Sequence, residues 1–387
     1  MREDFLLLNP GPVPIAHEVA QAMDAPMISR RSTTFGEIYN RTIEKFEALL
    51  RRSTGTSDTS PATGDTLILN GTATMALEAG ISNLVGPEDE IVALTNGQFG
   101  RRMADIGERY ATVTVVETPW GEPFDLQAVR SAVTDDTALL TVVHNETSTG
   151  LLNPIAPIGE IAAAHDVQLL VDGVSSIGGA PFLIDEWGVD VAVTEPQKAL
   201  ASPPGISLLF ASPAAQTAMV GTRGPFYHDL ETYLEAAADD RTPYTCAAPQ
   251  VRALDVALDR ILTEGMESRI DRHARYALAV RAGLTAMGLE LFPSPREEAD
   301  YSPTLTTAAF PDAFDPVAFQ TELARRGVSV GGGIAHLSSE VFRFGNMGEL
   351  SPDEIVRGMY AVGQALRAGG ADVPVSAAVA ETEAVIR

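Results

Sequence analysis

Residues 138–173 read ALLTVVHNETSTGLLNPIAPIGEIAAAHDVQLLVDG. The runs ALLTVV and VQLLV are almost wholly apolar, the mark of strands covered on both faces. Between them, IGEIAAAHD has the spacing of an amphipathic helix. Working outward, the same alternation predicts strands at Leu67–Asn70, Glu90–Thr95, Thr112–Glu117, Ala138–His144, Val167–Asp172, Val189–Thr194 and Ser207–Ala211. Strands alternating with helices imply an α/β domain with a mostly parallel sheet, here seven-stranded. A long helix around Met266–Met287 follows, then a strand near Thr306–Phe310 and helices near Pro316–Arg326 and Ser351–Ala368. These predict a smaller C-terminal α+β domain. The expected division is an N-terminal arm (1–15), a large domain (16–265), a small domain (266–372) and a tail (373–387) that packs on a partner or frays. Arg52–Asp65, rich in Ser, Thr, Gly and Pro, reads as a surface loop.

Composition narrows the function classes. The 52 acidic and 27 basic residues give a net charge of −25. An acidic surface disfavours nucleic acid and anionic membranes, because phosphate recognition needs a basic face. The charge is spread along the chain, which suggests a protein of a salt-rich cytoplasm, where ions screen self-repulsion. No apolar run reaches the ~18 residues of a membrane span, and Met1–Asp4 begins no signal peptide, so a cytoplasmic location is expected. Cys246 is the only cysteine and no Cys/His cluster has metal-ligand spacing, so neither a disulfide nor a metal is expected.

Ligands of open α/β sheets bind at the carboxyl ends of the strands, so the residues just beyond each strand carry the argument. Only two of the basic residues are lysines, Lys45 and Lys198. Lys45, in RTIEKFEALLRR, belongs to an amphipathic helix. Lys198, in VTEPQKALASPPG, follows a buried strand, and its amine can form a Schiff base where arginine cannot. A chance surface lysine is the plainer alternative. Asp172 closes VQLLVD, 26 residues earlier. A carboxylate there wants a cationic partner such as a protonated ring nitrogen, although a turn-forming Asp-Gly or a metal ligand fits too. Asn70–Thr74 (NGTAT) joins a strand to a helix, so its backbone N–H groups suit phosphate or plain capping. It has neither the GxGxxG nor the Walker spacing. Phe99 offers a ring for stacking or for the core, and HNETSTG (144–150) is a dense polar run. Arg343, in VFRFGNMG, wants a carboxylate from either a structural acid or a substrate.

Together, LLNPGPVPI, HNETSTG, VDGVSS, the Gln197-Lys198 pair and FRFGNMG resemble fold-type I pyridoxal phosphate (PLP) enzymes of the class V aminotransferase group, over nearly the whole chain. That group contains alanine–glyoxylate, serine–pyruvate and aminoethylphosphonate transaminases. The resemblance implies that Lys198 holds the cofactor and then moves the substrate's α-proton. Asp172 is implied to pair with the pyridinium nitrogen, Val174 and Phe99 to pack on the ring faces, and Thr147 to lie near the phenolic oxygen. Thr72, Ala73, Thr74 and Gln197 would form the phosphate cup. Thr242 and Thr245, in the loop Arg241–Thr245, would complete it across a homodimer with shared active sites. Arg343, aided by backbone around Gly11, would bind the substrate carboxylate. Arg30-Arg31 stands where a His-Arg pair is common, which leaves room for a second anionic group on the substrate.

The expected activity is ping-pong transfer of an amino group from alanine or serine to glyoxylate or pyruvate. Aspartate or aminoethylphosphonate transamination, or a PLP lyase, is the alternative. A cysteine desulfurase would need a mobile cysteine late in the chain, and Cys246 falls instead in the expected phosphate loop. Retention of Lys198, Asp172 and Arg343 together argues against a PLP-free binding subunit. The missing glycine spacing argues against a nucleotide-dependent oxidoreductase.

Overall fold

The computed structural model describes residues 5–52, 63–221, 224–296, 299–312 and 314–387. Met1–Asp4 and most of the loop expected at Arg52–Asp65 lie outside them. In chain order the first strands are β1 (Leu6–Leu8), β2 (Asp65–Asn70), β3 (Glu90–Thr95), β4 (Thr112–Glu117) and β5 (Thr137–Val143). There follow β6 (Asn145–Glu146), β7 (Leu151–Leu152), β8 (Gln168–Asp172), β9 (Val191–Thr194) and β10 (Ile206–Ala211). The last are β11 (Asp300–Tyr301), β12 (Leu305–Ala309), β13 (Val328–Gly332) and β14 (Val341–Gly345).

The main sheet has seven strands in the order β2-β10-β9-β8-β5-β3-β4. Only β10 runs antiparallel to its neighbours. This is the α/β sheet expected from sequence, with strand ends shifted by one or two residues. The central strands are buried along nearly their whole length, as their unbroken apolar runs require. Strand β4 forms an edge, and its Thr112 and Glu117 face solvent. Helices pack on both faces. On one side Phe46, Leu49, Ile158 and Leu254 meet Ile68, Val142 and Leu169; on the other Ala76, Leu77 and Met103 meet Leu139, Leu170 and Val193.

A second, four-stranded sheet has the order β1-β13-β14-β12. It includes a strand from the N-terminal arm, because Leu6–Leu8 pairs in parallel with Val328–Val330. Helix Pro352–Ala368 covers it, started by a capping box between Ser351 and Glu354 with Pro352 in the first turn. The tail packs on its own chain. Val375–Ile386 is a helix that buries Val375, Ala378 and Ile386 in the same apolar cluster as Val280 and Met359. A third small sheet, β11-β7-β6, ties the HNETSTG segment to Asp300–Tyr301. Among the described residues no helix is long and apolar enough to cross a membrane, and no cluster of acids, histidines and cysteines could hold a metal.

Candidate active site

The ends of three strands of the main sheet meet at one cavity of about 270 Å³. Strand β2 leads through Gly71 into helix Ala73–Ser82, β8 ends at Asp172, and β9 ends just before Glu195. The lining includes Thr72, Ala73, Thr74, Phe99, Thr147, Asp172, Val174, Gln197 and Lys198. Nine residues singled out in the sequence thus share one wall.

Lys198 is held on a short, braced loop. Ala201 N–H donates to its carbonyl (2.9 Å), Ser202 N–H donates to Pro196 (2.9 Å), and Ala201 takes the left-handed conformation with φ +51. The amine donates to the Pro10 carbonyl at 2.5 Å. Gly11 must be glycine here: its φ is +111, and a Cβ would stand 2.5 Å from Lys198 Cδ. Burial is the main cause that pushes the amine down to about 8, with Glu195 and Asp172 opposing and Arg343 and Arg102 assisting. Near neutral pH the amine is then still mostly protonated, with a neutral minority that an ordinary lysine lacks.

Asp172 is buried, and its Oδ1 accepts the Val174 N–H, at 2.9 Å. It makes no ion pair among the described residues. Burial, reinforced by Glu146, pushes its carboxyl up to about 7. A carboxylate in this state is short of a cation. At the start of helix Ala73–Ser82, Thr72 is the N-cap but its side chain makes no capping bond. Met75 N–H donates to the Thr72 carbonyl, and the Thr72 hydroxyl and the first two N–H groups, of Ala73 and Thr74, are left at the cavity lining for an anion. Gln197 Oε1 is buried without a partner.

The polar run 144–150 divides its labour. His144 turns away from the cavity and packs edge-on against Phe182 and Trp187, where burial drives it down to about 3 and keeps it neutral. Glu146, fully buried, accepts the Phe99 and Gly100 N–H groups, both at 3.1 Å, and so fixes the helix start that carries Phe99. Thr147 Oγ1 meets Ser175 Oγ at 2.5 Å. The Thr147 carbonyl accepts Arg343 Nη1 (3.1 Å), and Arg343 Nε donates to Gly332 (2.8 Å). Arg343 has no acid within ion-pair distance among the described residues. Burial lowers its guanidinium to about 10, which leaves it charged. Arg343 and Gly11 do not line the cavity themselves; each touches a residue that does.

Thr242 and Thr245 lie elsewhere. Thr242 Oγ1 donates to Tyr244, and the Thr245 carbonyl accepts Asn70 Nδ2 at 2.7 Å, just ahead of the helix start. Arg30 and Arg31 border hollows beside Asp239 and Arg241, with Arg30 Nη1 on the Thr242 carbonyl (2.8 Å).

The Aminotransferase class-V family model matches residues 6–349. The chain belongs to the class V aminotransferase family. It is 35% identical to the L-aspartate–glyoxylate aminotransferase of Paracoccus denitrificans, over 88% of this chain and 86% of that one. It is 33% identical to the serine–glyoxylate aminotransferase of Arabidopsis thaliana, over 97% and 93%. Among solved structures, pyridoxamine–pyruvate aminotransferase from Mesorhizobium loti superposes with a TM-score of 0.91 at 30% identity, covering 98% and 96% of the two chains. As a class V aminotransferase the protein is a PLP-dependent transaminase.

Two charged residues of this aminotransferase's cavity were missed in the sequence, Arg102 and Glu195, along with the apolar Leu77. Both charged residues were findable. Arg102 stands three residues after Phe99 on a helix, hence on the same face. Glu195 is the first residue beyond a buried strand, at the carboxyl end where ligands of such sheets bind.

Proposed function

We propose that this transaminase moves an amino group from a small amino acid, alanine or serine, to glyoxylate or pyruvate, using the cavity around Lys198. The observation that carries the reading is the gathering of a neutralisable lysine, a cation-starved aspartate and an open helix start in one cavity. These match the three ends of PLP: its aldehyde, its ring nitrogen and its phosphate. PLP, when bound, supplies the carbonyl that condenses with amines and the electron sink that acidifies the substrate α-carbon.

The chain's residues would do the rest. Lys198 Nζ anchors the cofactor, then takes the α-proton and returns it during amino transfer. Asp172 keeps the ring nitrogen protonated. Phe99 and Val174 confine the ring plane, and Thr147 orients the phenolic edge. Thr72, Thr74, Gln197 and the N–H groups of the helix start receive the phosphate. Arg343, a charged guanidinium without an acid, receives the substrate carboxylate. Thr242 and Thr245 fall outside the cavity of a single chain; the proposal places them in a partner's phosphate cup, in a homodimer. Its setting would be a salt-rich cytoplasm, in keeping with the −25 net charge. Aspartate is the second donor to consider, given the likeness to an aspartate–glyoxylate enzyme.

An absorbance cycle tests the reading. The PLP-loaded protein should lose its visible band on addition of L-alanine or L-serine and regain it with glyoxylate. A band that responds to aspartate alone would replace the donor. A band that no amino acid changes would refute transamination of amino acids.

A further inference from the structure

The order β2-β10-β9-β8 puts the end of β9 between the helix start that follows β2 and Asp172 at the end of β8. Glu195 stands at that point. Its residue is 6% exposed, it lines the cavity, and its Oε1 is buried without a hydrogen-bond partner. No cation pairs with it among the described residues. Arg102 approaches from the other side. Its Nη1 donates to Thr74 Oγ1 at 3.0 Å, and its Cζ lies 4.8 Å from the centre of the Phe99 ring. It too lacks an ion-pair partner among the described residues. The cavity lining therefore carries Glu195 and Arg102 with no ion pair between them among the described residues, and of the charges around the Lys198 amine Glu195 is the one felt most strongly.

We propose that Glu195 sets how tightly this cavity holds a phosphorylated cofactor, so that the site also accepts the unphosphorylated vitamers, pyridoxal and pyridoxamine. The inference rests on the PLP reading above. A phosphate brings roughly two negative charges. The helix start, the Thr72 and Thr74 hydroxyls and Arg102 attract it, and the Glu195 carboxylate repels it at short range in a poorly solvated cavity. An unphosphorylated vitamer ends in a hydroxymethyl group, which donates a hydrogen bond to a carboxylate and meets no repulsion. Opposed charges in one cavity thus narrow the gap between the two ligands.

The test is equilibrium binding of PLP and of pyridoxal to the cofactor-free full chain, followed by visible absorbance, in wild type, Glu195→Gln and Arg102→Gln. Glu195→Gln should tighten PLP by roughly tenfold or more, the scale of one removed like charge at short range, and should leave pyridoxal unchanged or weaker. Arg102→Gln should weaken PLP by a similar factor and spare pyridoxal. Wild type should bind the two vitamers with comparable affinity. Glu195→Ala, which removes the side chain without offering an amide, should shift PLP in the same direction. A variant at 195 that weakens PLP, or moves both vitamers alike, overturns the proposal, since a merely structural residue does not distinguish them. Failure of wild type to bind either vitamer overturns the proposal together with the cofactor reading beneath it.

Discussion

Asp172 shows what the site costs the chain. Its carboxyl is pushed from an ordinary value of 3.8 up to about 7, first by burial. The folded state therefore holds a proton that the unfolded state has released, and stability falls as pH rises from about 4 to 7. In cofactor-free protein Asp172→Asn should remove that fall, with a stability gain of about 1–3 kcal/mol at pH 8 and little at pH 4, read by urea denaturation. Equal stability of the two proteins at both pH values would mean that the carboxylate already has a cation. Arg343→Ala should lower kcat/KM for the amino acid by about 2–4 kcal/mol, mostly through KM. An unchanged KM would remove Arg343 from substrate binding. At this scale the sequence brought Lys198 and Asp172, both in the lining of one cavity, forward by their places at strand ends. It was silent about Glu146, whose use depends on two N–H groups 46 and 47 residues away.

At the scale of elements, Arg269 joins segments that are far apart in sequence. It is fully buried, in helix Met266–Ala286. Nε donates to Gly178 at 3.0 Å, in the loop after Asp172, and Nη2 to Ala199 at 2.7 Å, beside Lys198. Nη1 pairs with Glu264 (2.7 Å) and Glu349 (3.5 Å), the latter beyond β14 and Arg343. Arg269→Met should cost about 2–4 kcal/mol of folding stability, because it strands two buried carbonyls, while Glu264 and Glu349 keep Arg272 and Arg260. A loss under 1 kcal/mol in denaturant titration would show that the loops hold themselves. The long apolar strands and the helices with clear caps were legible from periodicity, because burial on both faces and N-capping leave local marks. Strands β1, β13 and β14 were not. Each is five residues or fewer, and each exists through pairing across the chain, Leu6 with Val328 and Gly331 with Arg343.

For the molecule as a whole, the acidic composition acts on every element at once. A net charge of −25 opposes compaction, and salt screens that opposition over about 8–10 Å near 0.1 M and about 3 Å near 1 M. The unfolding midpoint should therefore rise steadily as KCl is raised from dilute buffer to molar concentration. A midpoint independent of salt would mean that the charge is balanced locally, by pairs such as Arg101–Asp105 and Arg326–Glu322. The central claim is that Lys198 is the residue that holds PLP, and the scarcity of lysine makes it directly testable. Lys45, the other lysine, is already engaged by Asp255 at 2.6 Å and Asp259 at 2.7 Å. Borohydride reduction of the PLP-loaded chain, followed by peptide mass mapping, should place one pyridoxyl group on the peptide containing Lys198 and none on Lys45. A pyridoxyl group on Lys45, or on neither lysine, would contradict the account.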